Sequence, residues 1–167
     1  MTTPETTSDR ARREALALVA SLEEQEARLV FPAFGNDDAW RLGSLLVDMA
    51  RERKAAVTVD IRHGEQQLFH FALPGTSADN DAWLARKARV VSRYGESSYL
   101  VGTRFRAKGR TFEDSSRLDP DHYAAHGGAF PVRVGGTGVV GSVAVSGLPQ
   151  AEDHALVVAA VERFLAG

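Results

Sequence analysis

The spacing of apolar residues changes period at Val57, and that change restricts the fold class more than any other feature of the chain. Before it, Leu42, Leu45, Leu46, Met49 and Ala50 recur every three or four residues, as one face of a helix does. From Val57 onward Val57, Val59 and Ile61 alternate with Thr58, Asp60 and Arg62, which is the period of a strand with one buried face. His63-Gly64-Glu65 supplies a turn and Gln66 to Leu73 a return strand, so this stretch predicts a hairpin. The period then reverts: Ser77 to Asn80 offers caps for a helix carrying Trp83, Ala88, Val91 and Tyr94, to be broken at Gly95 or Gly102. Residues 104–120 have little periodicity and predict irregular chain at their centre. Phe130 to Val134 and Val139 to Val145 read as strands around Gly135, Gly136 and Gly138, and Glu152 to Leu165 as a final amphipathic helix.

At the other end, residues 1–7 are Thr-rich and predict a disordered tail. Ser8 is the expected cap of a first helix with Leu16, Val19, Ala20 and Leu22 on one face. Asn36, Asp37 and Asp38 suit the start of the second. Residues 8–167 then form a single α/β (α+β) domain, an antiparallel sheet with helices on its faces. Pro131 implies an edge strand or a strand's first residue, because proline cannot donate to a ladder, and an edge beside a glycine-rich loop is a natural subunit contact.

Composition enters by exclusion. The absence of cysteine removes disulfides, thiolate metal sites and cysteine nucleophiles, so any bound iron must rely on His, Tyr, Met or oxygen ligands. Twenty Lys and Arg against 22 Asp and Glu give a net charge of -2, without the basic excess that nucleic-acid binding calls for. The first thirty residues hold no signal-peptide-like stretch and no run of about eighteen apolar residues occurs, so the expectation is a cytoplasmic protein with no membrane partner. The charge is unevenly spread: between Trp83 and Arg110 eight bases, Arg86, Lys87, Arg89, Arg93, Arg104, Arg106, Lys108 and Arg110, face the single acid Glu96. Such a segment can form a positive rim for a small acidic ligand, with Arg86 clamping a carboxylate and Trp83 stacking, or a solvated face or charged subunit contact.

Three further motifs each admit two readings. Gly127-Gly128 before Phe130-Pro131 leaves bare backbone that a planar ligand could approach, or simply turns the chain into a strand. Ser146-Gly147-Leu148-Pro149 opens a helix whose free N–H groups could receive an anion, unless Ser146 and Asp153 cap the junction themselves; His154 in that first turn is a ligand candidate or a core histidine. His122 and His126, spaced i, i+4 beside Asp119 and Asp121, would share one side of a helical turn, as a haem-iron or transition-metal site requires, with Tyr123 as an oxygen ligand. His63 belongs to a turn and His70 to a strand. There is no nucleophile elbow, phosphate-binding loop or dinucleotide fingerprint.

Residues 125–134, AHGGAFPVRV, followed by residues 141–154, GSVAVSGLPQAEDH, resemble the haem-degrading domain family, and Trp83, Arg86, Lys87 and Ser97-Ser98 add to the likeness with its uncharacterised bacterial and fungal branch. The resemblance covers roughly residues 35–165. It implies a profilin-like sandwich with a five-stranded antiparallel sheet and helices on both faces, assembled as homo-oligomers, dimers or larger rings. Some members of that family bind haem or a corrinoid and one degrades haem. The expected function is therefore a homo-oligomeric domain binding haem or a related acidic ligand. His126, His122 or His154 are the iron-ligand candidates, Arg86 and Lys87 the propionate partners, Phe130 an apolar wall, and Trp83, Gly127, Gly128, Ser146 and Gly147 the remaining lining. The competing expectations are an oligomeric protein-interaction scaffold without ligand chemistry and a haem-degrading enzyme.

Overall fold

A capping box at the N-terminus sets where regular structure begins in the computed structural model, which describes residues 4–167. Helix α1 spans Thr7–Arg28, and Thr6, not Ser8, is its cap: the Thr6 hydroxyl accepts from the Asp9 N–H at 3.1 Å, while the Asp9 carboxylate accepts from the Thr6 N–H at 3.2 Å. The reciprocal pair needs an acceptor three residues on; Thr6 has Asp9, whereas Ser8 would have Ala11. Part of the expected tail, residues 1–3, lies outside the described residues. Ala15, Leu22 and Glu26 are the buried positions of α1, and Leu16, expected on that face, is 59% exposed.

Helix α2 (Asn36–Glu52) follows, its start fixed by the Asp38 carboxylate accepting from the Gly35 N–H at 2.7 Å. Strands β1 (Thr58–His63) and β2 (Gln66–Ala72) form the expected hairpin, with Gly64 at φ 58° in its turn. Helix α3 (Ala78–Tyr94) is capped by Ser77 and ended by Gly95, whose φ of 68° only glycine adopts readily. A separate helix, α4 (Ser98–Ala107), runs through Gly102 without breaking, and residues 104–120, expected to be irregular at their centre, hold its last turn and a short α5 (Phe112–Ser116). Strands β3 (Ala129–Val134) and β4 (Gly138–Ser146) make the second hairpin, and α6 (Gln150–Leu165) closes the chain.

The four strands form one antiparallel sheet in the order β2-β1-β4-β3. Among the described residues the expected five-stranded sheet is thus corrected to four strands. The segment that comes nearest to a fifth strand, around Phe31, makes a single parallel bridge to Val134, because Pro32 follows and cannot donate to a ladder. Pro131 lies on edge strand β3, as its missing N–H requires. One sheet face carries the main core, where Val59, Ile61, Phe130, Val143 and Val145 meet Leu42 and Leu46 of α2 and Leu156 and Val157 of α6. On the other face Leu84 and Val91 of α3 cover Ala129 and Ala144. Behind α3, Val90, Val101, Phe112 and Ala125 join α3, α4 and α5, and α1 packs along α4. Helices therefore stand on both faces, as the alternation of periods predicts. Among the described residues no helix is long and apolar enough to cross a membrane.

Candidate functional site

Four separate pieces of chain meet at one end of α3: its own first turns, the loop at 126–127, the end of β4 and the first turn of α6. They enclose a cavity of about 260 Å³ lined by Trp83, Lys87, His126, Gly127, Ser146 and Gly147, all of them candidates from the sequence. Asp79, Asn80, Leu148, Gln150 and Asp153 complete it. Asn80 and Gln150 are polar residues at helix starts, a signal that reads as capping in the sequence. Here the Asn80 amide also reaches the Ser146 hydroxyl at 3.4 Å, and Gln150 accepts from the Gly127 N–H at 3.1 Å.

Lys87 and Asp153 form the floor. The Lys87 ammonium is buried and donates to the carbonyls of Gly127 (3.0 Å) and Val145 (2.8 Å) and to the Asp153 carboxylate (3.2 Å). All three N–H bonds are used inside the protein, so Lys87 is not free to meet a propionate. Burial pulls the Lys87 amine below its ordinary range and pushes the Asp153 carboxyl above its own, each opposed by the charge of the other. Asp153 also accepts from the N–H groups of Leu148 (2.9 Å) and Gly147 (3.4 Å). The anion that the Ser146–Pro149 loop receives is thus the chain's own carboxylate, which selects the capping reading of that motif. The glycine pair resolves the same way. A Cβ at Gly128, where φ is 134°, would lie 2.4 Å from the Lys87 nitrogen and 2.5 Å from the Val145 carbonyl. These glycines let backbone and lysine approach closely; Gly128 does not line the cavity.

The three candidate histidines go to three different places. Residues 120–122 form a turn instead of a helix, because the Asp119 side chain accepts from the Asp121 N–H at 2.9 Å and ends the hydrogen-bonding run. His122 is therefore exposed, donating from Nδ1 to Asp119 at 2.9 Å, and does not share a face with His126. His154 is buried between Tyr99 and Phe130, with ring centroids at 5.0 and 6.0 Å, and its Nε2 meets the Gln25 side-chain oxygen at 2.7 Å. Burial lowers its pKa to about 4, and Nδ1 has no partner among the described residues. Phe130 is 1% exposed in the same core and forms no wall of the cavity. Tyr123 takes the Arg93 guanidinium on its ring. Among the described residues no group of three His, Asp or Glu side chains could hold a bare metal ion.

His126 alone of the three lines the cavity. It is exposed and lies edge-on to Trp83 at 5.2 Å. Its pKa is depressed by partial burial, opposed by Glu113 and reinforced by Lys87, Arg106 and Arg86, so the imidazole is neutral at pH 7 and has a lone pair available. Arg86 stacks on Trp83 at 4.1 Å, just outside the cavity. The remaining bases of the segment are largely engaged: Arg104 is held by Glu96 and Glu23, and Arg106 by Thr103.

Comparison with known proteins gives this arrangement its setting. Residues 34–162 match the family described as haem degrading protein HbpS-like. A UPF0303 protein of Streptomyces coelicolor is 73% identical over 147 residues, covering 88% of this chain and 93% of that protein. One from Edwardsiella ictaluri is 47% identical over 152 residues, covering 91% and 95%. The crystal structure of Ybr137w superposes with a TM-score of 0.82 at 30% identity, covering 92% of each chain. At the level of fold alone, a PduOC–haem complex superposes with a TM-score of 0.65 at 18% identity, covering 78% of this chain and 94% of that one. With more than three quarters of its length matched, the chain belongs to the HbpS-like haem-degrading protein family.

Proposed function

We propose that residues 8–167 act as one small-molecule-binding unit whose ligand is haem or a related acidic macrocycle. The observation that carries this reading is the neutral, exposed His126 imidazole beside Trp83 at the mouth of a cavity, within the field of Arg86 and Arg106. These residues fit the group: His126 would hold the iron, Trp83 offer a flat wall, and Arg86 a partner for propionate. Bound haem would supply the redox chemistry of its iron; the chain supplies ligand, orientation and counter-charge. The cavity, at about 260 Å³, lies below the roughly 300–1,000 Å³ of pockets that enclose a drug-sized ligand, so the macrocycle would rest across its mouth. The solved haem complex of a protein with the same fold supports this choice of ligand.

Titrating the full chain with haemin while recording the Soret band tests it. A saturable shift is expected, weakened about tenfold or more by His126→Ala and unchanged by His122→Ala. An absent shift, or a His126→Ala variant that binds as well as the parent, overturns it.

A second observation favours self-association, as a dimer or larger ring. Among the described residues edge strand β2 has no strand on its outer side; it carries Phe71, 38% exposed, and lies against Trp40 of α2, 68% exposed. At the opposite edge, by contrast, the Phe31 segment bridges β3. Light scattering should give a multiple of 18.1 kDa, reduced by Trp40→Glu; a monomer mass overturns the oligomer.

A further inference from the structure

We infer that a second cleft, on the opposite flank of α3 from His126, binds a small ligand through one carboxylate or phosphate group. At about 100° per residue, Trp83 and Lys87 project from one side of α3 and Ala85, Ala88, Arg89 and Ser92 from the other, with Leu84 and Val91 buried between. The small side chains of Ala85 and Ala88 leave the helix standing off β1 and β4, and the space between is a cleft of about 400 Å³. That volume lies within the range of small-molecule pockets, and its walls set the charged and hydroxyl groups of Arg62, Arg89 and Ser142 beside apolar Ala88, Val139 and Val140.

Its two guanidiniums are held by one edge each. Asp60 is 1% exposed, and its carboxylate accepts from the Arg62 Nε at 2.7 Å and from the Gln67 amide at 2.6 Å. Both carboxylate oxygens are thereby engaged, and the Arg62 side chain is fixed while its two terminal nitrogens have no protein partner among the described residues. Arg89 donates one terminal nitrogen to the His122 carbonyl at 3.2 Å. Ser142 is the β4 residue paired with Arg62, so its hydroxyl lies beside the guanidinium on the cleft floor, with Ser92 above it.

A buried carboxylate on a sheet face is a poor device for stability, since its desolvation offsets most of what the ion pair gains. As a device for aiming a guanidinium it is effective, because arginine recognises oxyanions through paired N–H groups of fixed geometry. Glu65, on the β1–β2 turn, faces the same cleft and disfavours a second negative charge on the ligand. The ligand class is therefore a small molecule with one anionic end and a neutral or cationic remainder.

Side-chain Nε resonances of Arg62 and Arg89 in the 15N-labelled full chain, followed during titration with inorganic phosphate and separately with lactate, test the site. Saturable shifts with either probe are expected, and the probe that saturates at lower concentration identifies the group. Arg89→Gln and Ala85→Leu, the one removing a donor and the other filling the cleft, should each weaken the response about tenfold or more. Arg110→Gln, on the exposed loop between α4 and α5, should leave it unchanged. Shifts that rise linearly without saturation, or that persist at the same midpoint in Arg89→Gln and Ala85→Leu, overturn the site. Arg89 keeps the test independent of folding, because it is exposed and has no carboxylate partner among the described residues.

Discussion

Lys87 joins three elements through one atom: its ammonium ties α3 to the 126–128 loop, to β4 and, through Asp153, to α6. Removing one member of a buried pair strands the other charge, which costs about 3–5 kcal/mol, whereas replacing both by apolar groups can be close to neutral. Lys87→Met and Asp153→Leu are therefore each expected to destabilise strongly, and the two together to recover part of the loss. Urea unfolding of the four proteins as a double-mutant cycle measures the coupling; additive losses would show that the two residues act separately. At this scale the sequence identifies residue types but not their partners. Trp83, Lys87, His126, Gly127, Ser146 and Gly147 are legible as candidates because helix, turn and strand-end positions can be assigned locally, and the fold brings them to one cavity. That Lys87 and Asp153, 66 residues apart, cancel one another is a property of the sheet order. The same holds for His122 and His126, whose i, i+4 spacing means something only on a helix, and Asp119 stops one from forming.

Helix α4 shows why the elements themselves were unequally legible. The hairpins and helices α2, α3 and α6 follow from long periodic runs with clear punctuation. In α4 the buried positions are Ser98, Leu100, Val101, Gly102 and Thr103, where adjacent Leu100 and Val101 stand among small and polar residues and leave no readable stripe. Gly102 looks like a breaker but meets a tertiary requirement, since a Cβ there would lie 2.1 Å from the Ala125 carbonyl oxygen. Alanine is worth about 1 kcal/mol over glycine in a helix interior, while forcing a buried backbone contact apart costs about 1–3 kcal/mol. Gly102→Ala should therefore destabilise by up to about 2 kcal/mol, and a higher melting temperature would show that the loop carrying Ala125 yields instead. The four-stranded sheet has a similar origin: Leu29, Val30 and Phe31 have strand character, but Pro32 limits them to one bridge.

Across the whole molecule, two buried titratable groups oppose one another. Glu26 docks α1 by accepting from the Ser97 N–H at 2.7 Å, and desolvation raises its pKa to about 7, with Glu96 adding to the rise and the Ser97 hydrogen bonds and Arg133 opposing it. Its pKa is higher in the folded state than in the unfolded chain, so the native protein binds the proton first and stability rises as pH falls from about 7 to about 4.5. His154 has the reverse sign. Its folded pKa of about 4 lies below the 6.5 of a free histidine, so the unfolded chain takes up the proton first and stability falls between about 6.5 and 4. Each shift corresponds to about 3 kcal/mol at its limit, and the two windows overlap over most of their width. The parent protein should thus have a nearly flat stability profile between pH 7 and 4.5. Glu26→Gln removes the gain and should lose stability steeply on acidification, whereas His154→Asn removes the loss and should gain stability over the same range. Urea midpoints measured at half-unit intervals of pH resolve the two slopes, and parallel profiles for parent and both variants would show that neither group titrates where its burial places it.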